Sequence, residues 1–143
     1  MSRDLTAAEI IALFDAAADA IEREKDHLCE LDGVIGDADH GVSMSIGFTA
    51  VRTALSALDP ASVTPTEVFN AAAKAFLNAV GASAGPLYAT AFMRAGATVK
   101  GKTALTDADV AGLVVAMAEG VRHRGQAAVG DKTMIDAWVP AAE

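Results

Sequence analysis

The chain has 143 residues, enough for one domain with a buried core, and its 19 acidic against 11 basic side chains leave a formal net charge of −8. That balance excludes a nucleic-acid-binding surface, which needs clustered Lys and Arg, and no charge-free apolar run approaches the roughly 18 residues of a membrane span. Hydrophobic residues make up 52%, much of it Ala with only 5% aromatic, a composition that favours closely packed helices over a sheet. A lone cysteine, Cys29, rules out an internal disulfide and reads as a packed thiol. The opening Met-Ser-Arg-Asp-Leu-Thr lacks the apolar core of a signal peptide, so a cytoplasmic protein without membrane contact is expected.

Thr6 and Glu9 form a capping box that opens a first helix, with Ile10, Leu13, Phe14, Ala17 and Ile21 spaced for its inner face. A second helix is expected from His40 or Gly41, carrying Met44, Phe48, Val51, Leu55 and Leu58 inward and ending at Asp59-Pro60. Thr64-Pro65-Thr66-Glu67 joins a cap, a first-turn proline and a third-position Glu, and starts a helix with Phe69, Ala72, Phe76 and Val80 inward. After the small-residue break Gly81–Gly85, Pro86 is expected to start a fourth helix with Leu87, Met93 and Ala97. Thr106 and Asp109 open a fifth, with Val110, Leu113, Val114, Met117 and Val121 on one face. Arg122–Gln126 reads as a polar loop, and a sixth helix is expected from Asp131 through Trp138. There is no strand pattern, linker or solenoid repeat, so the reading is all-α, residues 1–143 as one unit of mostly antiparallel amphipathic helices.

Between the first two helices, Asp32, Asp37 and Asp39 fall within Leu31-Asp-Gly-Val-Ile-Gly-Asp-Ala-Asp-His-Gly41. Three mutually repelling carboxylates in a glycine-rich turn suit a hard cation, Mg²⁺ or Ca²⁺ rather than zinc. The next helix start offers backbone N–H groups for a phosphate that such a cation would bridge. An EF-hand loop fails on spacing, because starting at Asp37 puts Phe48 where a bidentate Glu is required. Simple capping by Asp37 or Asp39 accounts for one aspartate and leaves the others unexplained.

Two further helix starts bear on the same chemistry. Gly81-Ala-Ser-Ala-Gly-Pro86 has small residues and a hydroxyl, which suit either close phosphate approach or tight helix packing. Gly130-Asp-Lys-Thr133 lacks the first glycine of a Walker loop, since Gln126 occupies that place. Among the histidines, His27, His40 and His123 show no zinc-ligand spacing, and only His40, beside the aspartates, is a candidate to donate to a phosphate or to orient a metal ligand.

Together, Leu31–Gly41, Gly81-Ala-Ser-Ala-Gly-Pro-Leu-Tyr88 and Gly130-Asp-Lys-Thr-Met-Ile-Asp-Ala-Trp138 resemble, in order and at matching intervals, the nucleotide-binding L subunit or L domain of dihydroxyacetone kinases. The resemblance implies a barrel of amphipathic helices holding ADP or ATP at one end with two Mg²⁺ ions. It implies that Asp32, Asp37 and Asp39 are metal ligands, that His40, Gly41, Val42 and Ser43 contact phosphate from the second helix, and that Ser83 and Ala84 do so from the small-residue loop. Gly125 and Met134 match positions on the base side. Ala82 and Ala84 stand where the family usually has a Gly and a hydroxyl residue. Relative to the family, two further helices with an Arg and a Gly-His-x-Asp-Pro-Gly segment are not among these residues, so a truncated barrel of about six helices out of eight is expected.

The implied activity is that of a kinase subunit: phosphoryl transfer to dihydroxyacetone or another short ketose bound on a partner K subunit. Metal and phosphate electrostatics would carry it, with no nucleophile or base from this chain. The resemblance implies ADP recharged by a phosphotransferase-system protein. The alternatives are an ATP-dependent L domain of a triose or tetrose kinase, and a non-catalytic regulatory module, since L subunits also bind transcriptional regulators.

Overall fold

A computed structural model describes residues 4–143, and Met1–Arg3, where the N-terminal segment read for a signal peptide begins, lie outside the described residues. Six helices follow one another: α1 Ala7–Gly33, α2 His40–Ser56, α3 Pro65–Ala79, α4 Ala84–Thr98, α5 Asp107–Gly125 and α6 Ile135–Ala142. The all-α expectation holds, with one addition. Leu5–Thr6 (β1) pairs antiparallel with Ala104–Leu105 (β2), Leu5 opposite Leu105. Two residues on each side are too few for a periodic strand signal.

The helix starts form as their side chains dictate. Thr6, Thr64 and Thr106 each accept from the N–H three residues on, and Glu9, Glu67 and Asp109 return the bond to the cap backbone. Several ends differ from the sequence reading. The first helix continues to Gly33 and so carries Asp32 in its last turn. The fourth begins at Ala84, leaving Pro86 in the first turn, where its missing N–H costs nothing. Arg122–Gly125 is helical rather than loop, because α5 runs on until Gln126 caps it at φ 54°. The sixth helix begins at Ile135, not Asp131, and holds Pro140 within it.

Consecutive helices pack as neighbours, α1 on α2, α2 on α3, α3 on α4, α4 on α5 and α5 on α6. Their inner faces meet in an aromatic cluster. Phe14 stacks edge-on to Phe69 and Phe92 at 5.6 and 5.3 Å, and Phe48 to the fully buried Phe76 at 5.5 Å. Tyr88 closes the cluster 5.3 Å from Phe76. Arg52 ties α2 to α1, donating to the Asp15 carbonyl at 2.7 Å and to the Asp15 and Asp19 carboxylates.

One apolar expectation fails: Leu13 is exposed while Ala18 is buried. In α4 the buried face is Ala89, Phe92 and Ala95, with Met93 and Ala97 turned outward. Leu13 instead lines an open apolar groove of about 220 Å³ shared by α1 and α5, together with Val110, Val114 and Met117. No helix among the described residues is long and apolar enough to cross a membrane.

Candidate metal and phosphate site

Short connections between antiparallel neighbours bring the ends of α1, α3 and α5 to the same end of the molecule as the starts of α2, α4 and α6. All three motif segments lie at that end. The aspartates occupy the first connection. Oxygen atoms of Asp32, Asp37 and Asp39 all lie within 4.8 Å of one another.

Each aspartate is held differently. An oxygen of Asp32 accepts from the backbone N–H of Asp39 at 3.0 Å and of His40 at 3.2 Å, so a residue of α1 caps α2. Asp39 occupies the N-cap position without a side-chain cap bond. That relieves Asp37 and Asp39 of the capping role and leaves their carboxylates exposed beside each other. The negative charge of Asp37, then partial desolvation, then Asp32, raise the Asp39 carboxyl above its ordinary range. Repulsion of this kind is what a bound cation removes.

The backbone between them is fitted to this arrangement. Ala38 is left-handed at φ 61°, which turns the chain sharply between Asp37 and Asp39. Gly36 donates to the Asp32 carbonyl at 2.7 Å, and a Cβ there would sit 2.3 Å from an Asp32 carboxylate oxygen. At Gly41 a Cβ would meet the Lys25 carbonyl at 1.9 Å, so only glycine lets the first turn of α2 lie against α1.

A cavity of about 240 Å³ is lined by Asp32, Asp37, Asp39, His40 and Ser43 on one side and by Ala82, Ser83 and Ala84 on the other. Two helix N-termini thus open onto one polar space. Ser83, at the N-cap of α4, makes no side-chain cap bond. In α2 the first-turn N–H groups of Gly41 and Val42 have no intrahelical acceptor, although neither residue lines the cavity with a side chain. A second depression of about 270 Å³ shares Ser83 and adds Pro86, Leu87, Arg124 and Gly125. A third, of about 140 Å³, shares Leu87 and Gly125 and adds Ala127, Thr133, Met134 and Ile135. The three form a trough running from an acidic end to an apolar one.

Of the residues singled out from sequence, Asp32, Asp37, Asp39, His40, Ser43, Ser83 and Ala84 surround the first cavity, while Gly125 and Met134 border the adjoining ones. His27 lies apart, 3.9 Å from Glu30 on the exposed side of α1, and Lys132 is exposed at φ 59°. Sequence reasoning gives no site role to Arg124, which reads as loop, or to Leu87, which reads only as part of the fourth helix. It also missed Asp136, which orders the turn before α6 by accepting from Gly130 N–H at 2.7 Å and Thr133 N–H at 3.0 Å. Those donors, Gly130 first, hold its carboxyl below the ordinary range. Its signal was the Thr133-x-x-Asp136 spacing.

Fold and site together define an all-α domain whose helix ends gather carboxylates, a hydroxyl and unpaired N–H groups around one open trough. The chain belongs to the DAK2 domain family, whose model matches residues 34–143. It is 42% identical over 123 residues to the ADP-binding subunit DhaL of a PEP-dependent dihydroxyacetone kinase from Listeria innocua, covering 86% of this chain and 57% of that protein. The corresponding subunit of Escherichia coli is 34% identical over 139 residues, 97% of this chain and 65% of that protein. A D-erythrulose kinase of Mycolicibacterium smegmatis is 36% identical over 137 residues, 91% of this chain but 22% of that enzyme. The dihydroxyacetone kinase of C. freundii, crystallised with AMP-PNP and Mg²⁺, superposes with a TM-score of 0.77 over 99% of this chain and 26% of that one. At 23% identity, that likeness is one of fold. The chain spans about three-fifths of the length of the DhaL subunits it matches.

Proposed function

We propose that this chain is the nucleotide-binding L-type domain of a cytoplasmic kinase that phosphorylates dihydroxyacetone or a similar short ketose. The observation that carries the reading is the single cavity shared by three carboxylates and the starts of α2 and α4. Asp32, Asp37 and Asp39 fit Mg²⁺: all three offer hard oxygen ligands, and the raised Asp39 carboxyl marks negative charge that a cation would neutralise. Asp37 and Asp39 both line the cavity and Asp39 makes no cap bond, which suits a paired ion site. Bound Mg²⁺ supplies charge neutralisation on a transferring phosphoryl group.

The chain's own residues do the rest by position. The Gly41 and Val42 N–H groups at one helix start, and those of Ser83 and Ala84 at the other, offer phosphate positive dipole ends, while His40 and Ser43, whose N–H groups are taken by Asp32 and the Asp39 carbonyl, contribute their side chains to the cavity. The Ser43 and Ser83 hydroxyls add adjustable donors. Leu87, Gly125 and Met134 offer the apolar length of the trough to the base. No side chain of the cavity is needed as nucleophile or strong base, so catalysis is electrostatic and the acceptor is brought by a sugar-binding K subunit.

The DhaL relatives, described as ADP-binding and PEP- or PTS-dependent, support ADP as a retained cofactor recharged by a phosphotransferase-system protein. The second reading is ATP as an exchanging substrate, and the D-erythrulose kinase relative, whose name carries no PEP or PTS dependence, is compatible with it. Nucleotide that survives repeated gel filtration favours the first, and rapid loss favours the second. For the site itself, Asp37→Ala should abolish calorimetric binding of Mg²⁺-ADP while leaving the helical circular dichroism unchanged. Retained binding would refute the assignment.

A further inference from the structure

Beside the aspartate cavity stands an apolar tip that the fold itself does not use. Ile35 is 98% exposed and Val34 79%, at the turn between α1 and α2, and Leu31 in the last turn of α1 is 57% exposed. Scattered exposed apolar residues are ordinary, but three within residues 31–35, next to a site, form a patch. The turn is also ordered. Val34 N–H reaches the Leu31 carbonyl at 3.5 Å, and Ile35 and Gly36 donate to the Asp32 carbonyl at 3.3 and 2.7 Å. The backbone that displays Val34 and Ile35 is therefore the same backbone that positions a metal-ligand candidate. A preordered apolar projection loses little conformational freedom when it is covered.

Charge says what covers it. Asp26, Glu30, Asp32, Asp37 and Asp39 surround the tip in sequence, and neither residues 26–51 nor the facing segment 75–93 contains a Lys or Arg. Asp26 and Glu30, which do not line the cavity, keep the rim acidic when Mg²⁺ and nucleotide are bound. A second copy of this chain would bring the same acidic rim and be repelled. The complementary surface is an apolar recess ringed by basic side chains.

We propose that the Leu31–Ile35 tip docks the protein that carries the phosphoryl acceptor, a partner with an apolar pocket rimmed by Lys or Arg. This rests on the phosphoryl-transfer reading above and deepens it: docking the tip sets the partner's acceptor over the cavity mouth. Because Val34 and Ile35 line no part of the cavity, association and nucleotide binding are separable.

The test compares the full-length subunit with its Val34→Ser/Ile35→Ser variant, both assayed with the sugar-binding subunit. The variant should bind Mg²⁺-ADP with unchanged affinity and melt at the same temperature. Its association with the partner should weaken at least about tenfold, as expected when central apolar anchors are lost. The KM for the partner should rise while kcat at saturation is retained. Wild-type association should also weaken as salt rises through the physiological range. Undiminished association of the variant, or no association of the wild type, overturns this inference alone. A variant that loses stability or Mg²⁺-ADP affinity also overturns it, because the tip would then be covered by its own chain. Failure of the wild type to bind Mg²⁺-ADP would instead remove the reading on which it rests.

Discussion

The aspartate turn is arranged by one alanine as much as by its acids. Ala38 sits at φ 61°, a conformation that costs an L residue roughly 1–2 kcal/mol. The turn keeps it there because Gly33 lies close (a Cβ on Gly33 would meet that of Ala38 at 3.1 Å) and because Asp32 grips the N–H groups on the far side. Ala38→Gly relieves the strain but frees the unfolded chain, so a net gain of about 0.5 kcal/mol in urea denaturation is expected. Ala38→Val, β-branched at the same φ, should cost about 1–3 kcal/mol and weaken Mg²⁺-ADP binding by pulling Asp37 and Asp39 apart. Equal stability of the two variants would mean that the left-handed turn is not populated. Nothing in Asp-Ala-Asp announces a positive φ, since Gly or Asn is the usual occupant. The acids were legible in the sequence; the geometry that makes them a cluster was not.

At the scale of the helix, cap chemistry was the most readable signal. The three boxes at Thr6, Thr64 and Thr106 formed as their spacing required, because a side-chain acceptor three residues from its donor is a local matter. Helix C-termini were less readable. The fifth helix ends on Gln126 rather than on a glycine, so the Arg122–Gly125 stretch looked like loop, and Arg124 was lost from view as a trough residue. The inner face of α1 slipped for a different reason: Leu13 borders a groove rather than a packed neighbour, which periodicity alone does not reveal.

Caps also set a pH dependence. The Glu67 carboxylate accepts from Thr64 N–H and the Thr64 hydroxyl, both at 2.8 Å, and the backbone bond first, then the hydroxyl, lowers its carboxyl from the ordinary 4.5. A depressed acid contributes stability that is complete above the unfolded value and disappears as pH falls through the folded one. Thermal melts of the wild type should therefore lose stability as pH drops below about 4.5. Glu67→Gln should be less stable at pH 7 and show a shallower decline over that window. Parallel pH profiles would show that the box holds no ionised carboxylate.

At the scale of the molecule, the alternation of helix direction explains why three distant motifs converge. Odd-numbered helices end, and even-numbered ones begin, at the same pole, so segments near residues 32–43, 81–87 and 124–135 meet without any long connection. Order along the chain therefore becomes order along the trough, with acids first, hydroxyl in the middle and apolar residues last. A ligand lying in it would bridge α1–α2 to α4, α5 and α6, elements that otherwise touch mainly through sequential neighbours. Binding to the native state alone stabilises by about 2.7 kcal/mol at a hundredfold excess over Kd. For a chain of this size that is a rise of roughly 5–10 °C in Tm. Mg²⁺ with ADP should produce it, and excess chelator should reverse it. Asp37→Ala should show none, while Met134→Ala, at the apolar end, should keep a reduced shift because the metal and phosphate end is intact. A full shift in Asp37→Ala would mean that the ligand stabilises the bundle from somewhere other than the acidic pole.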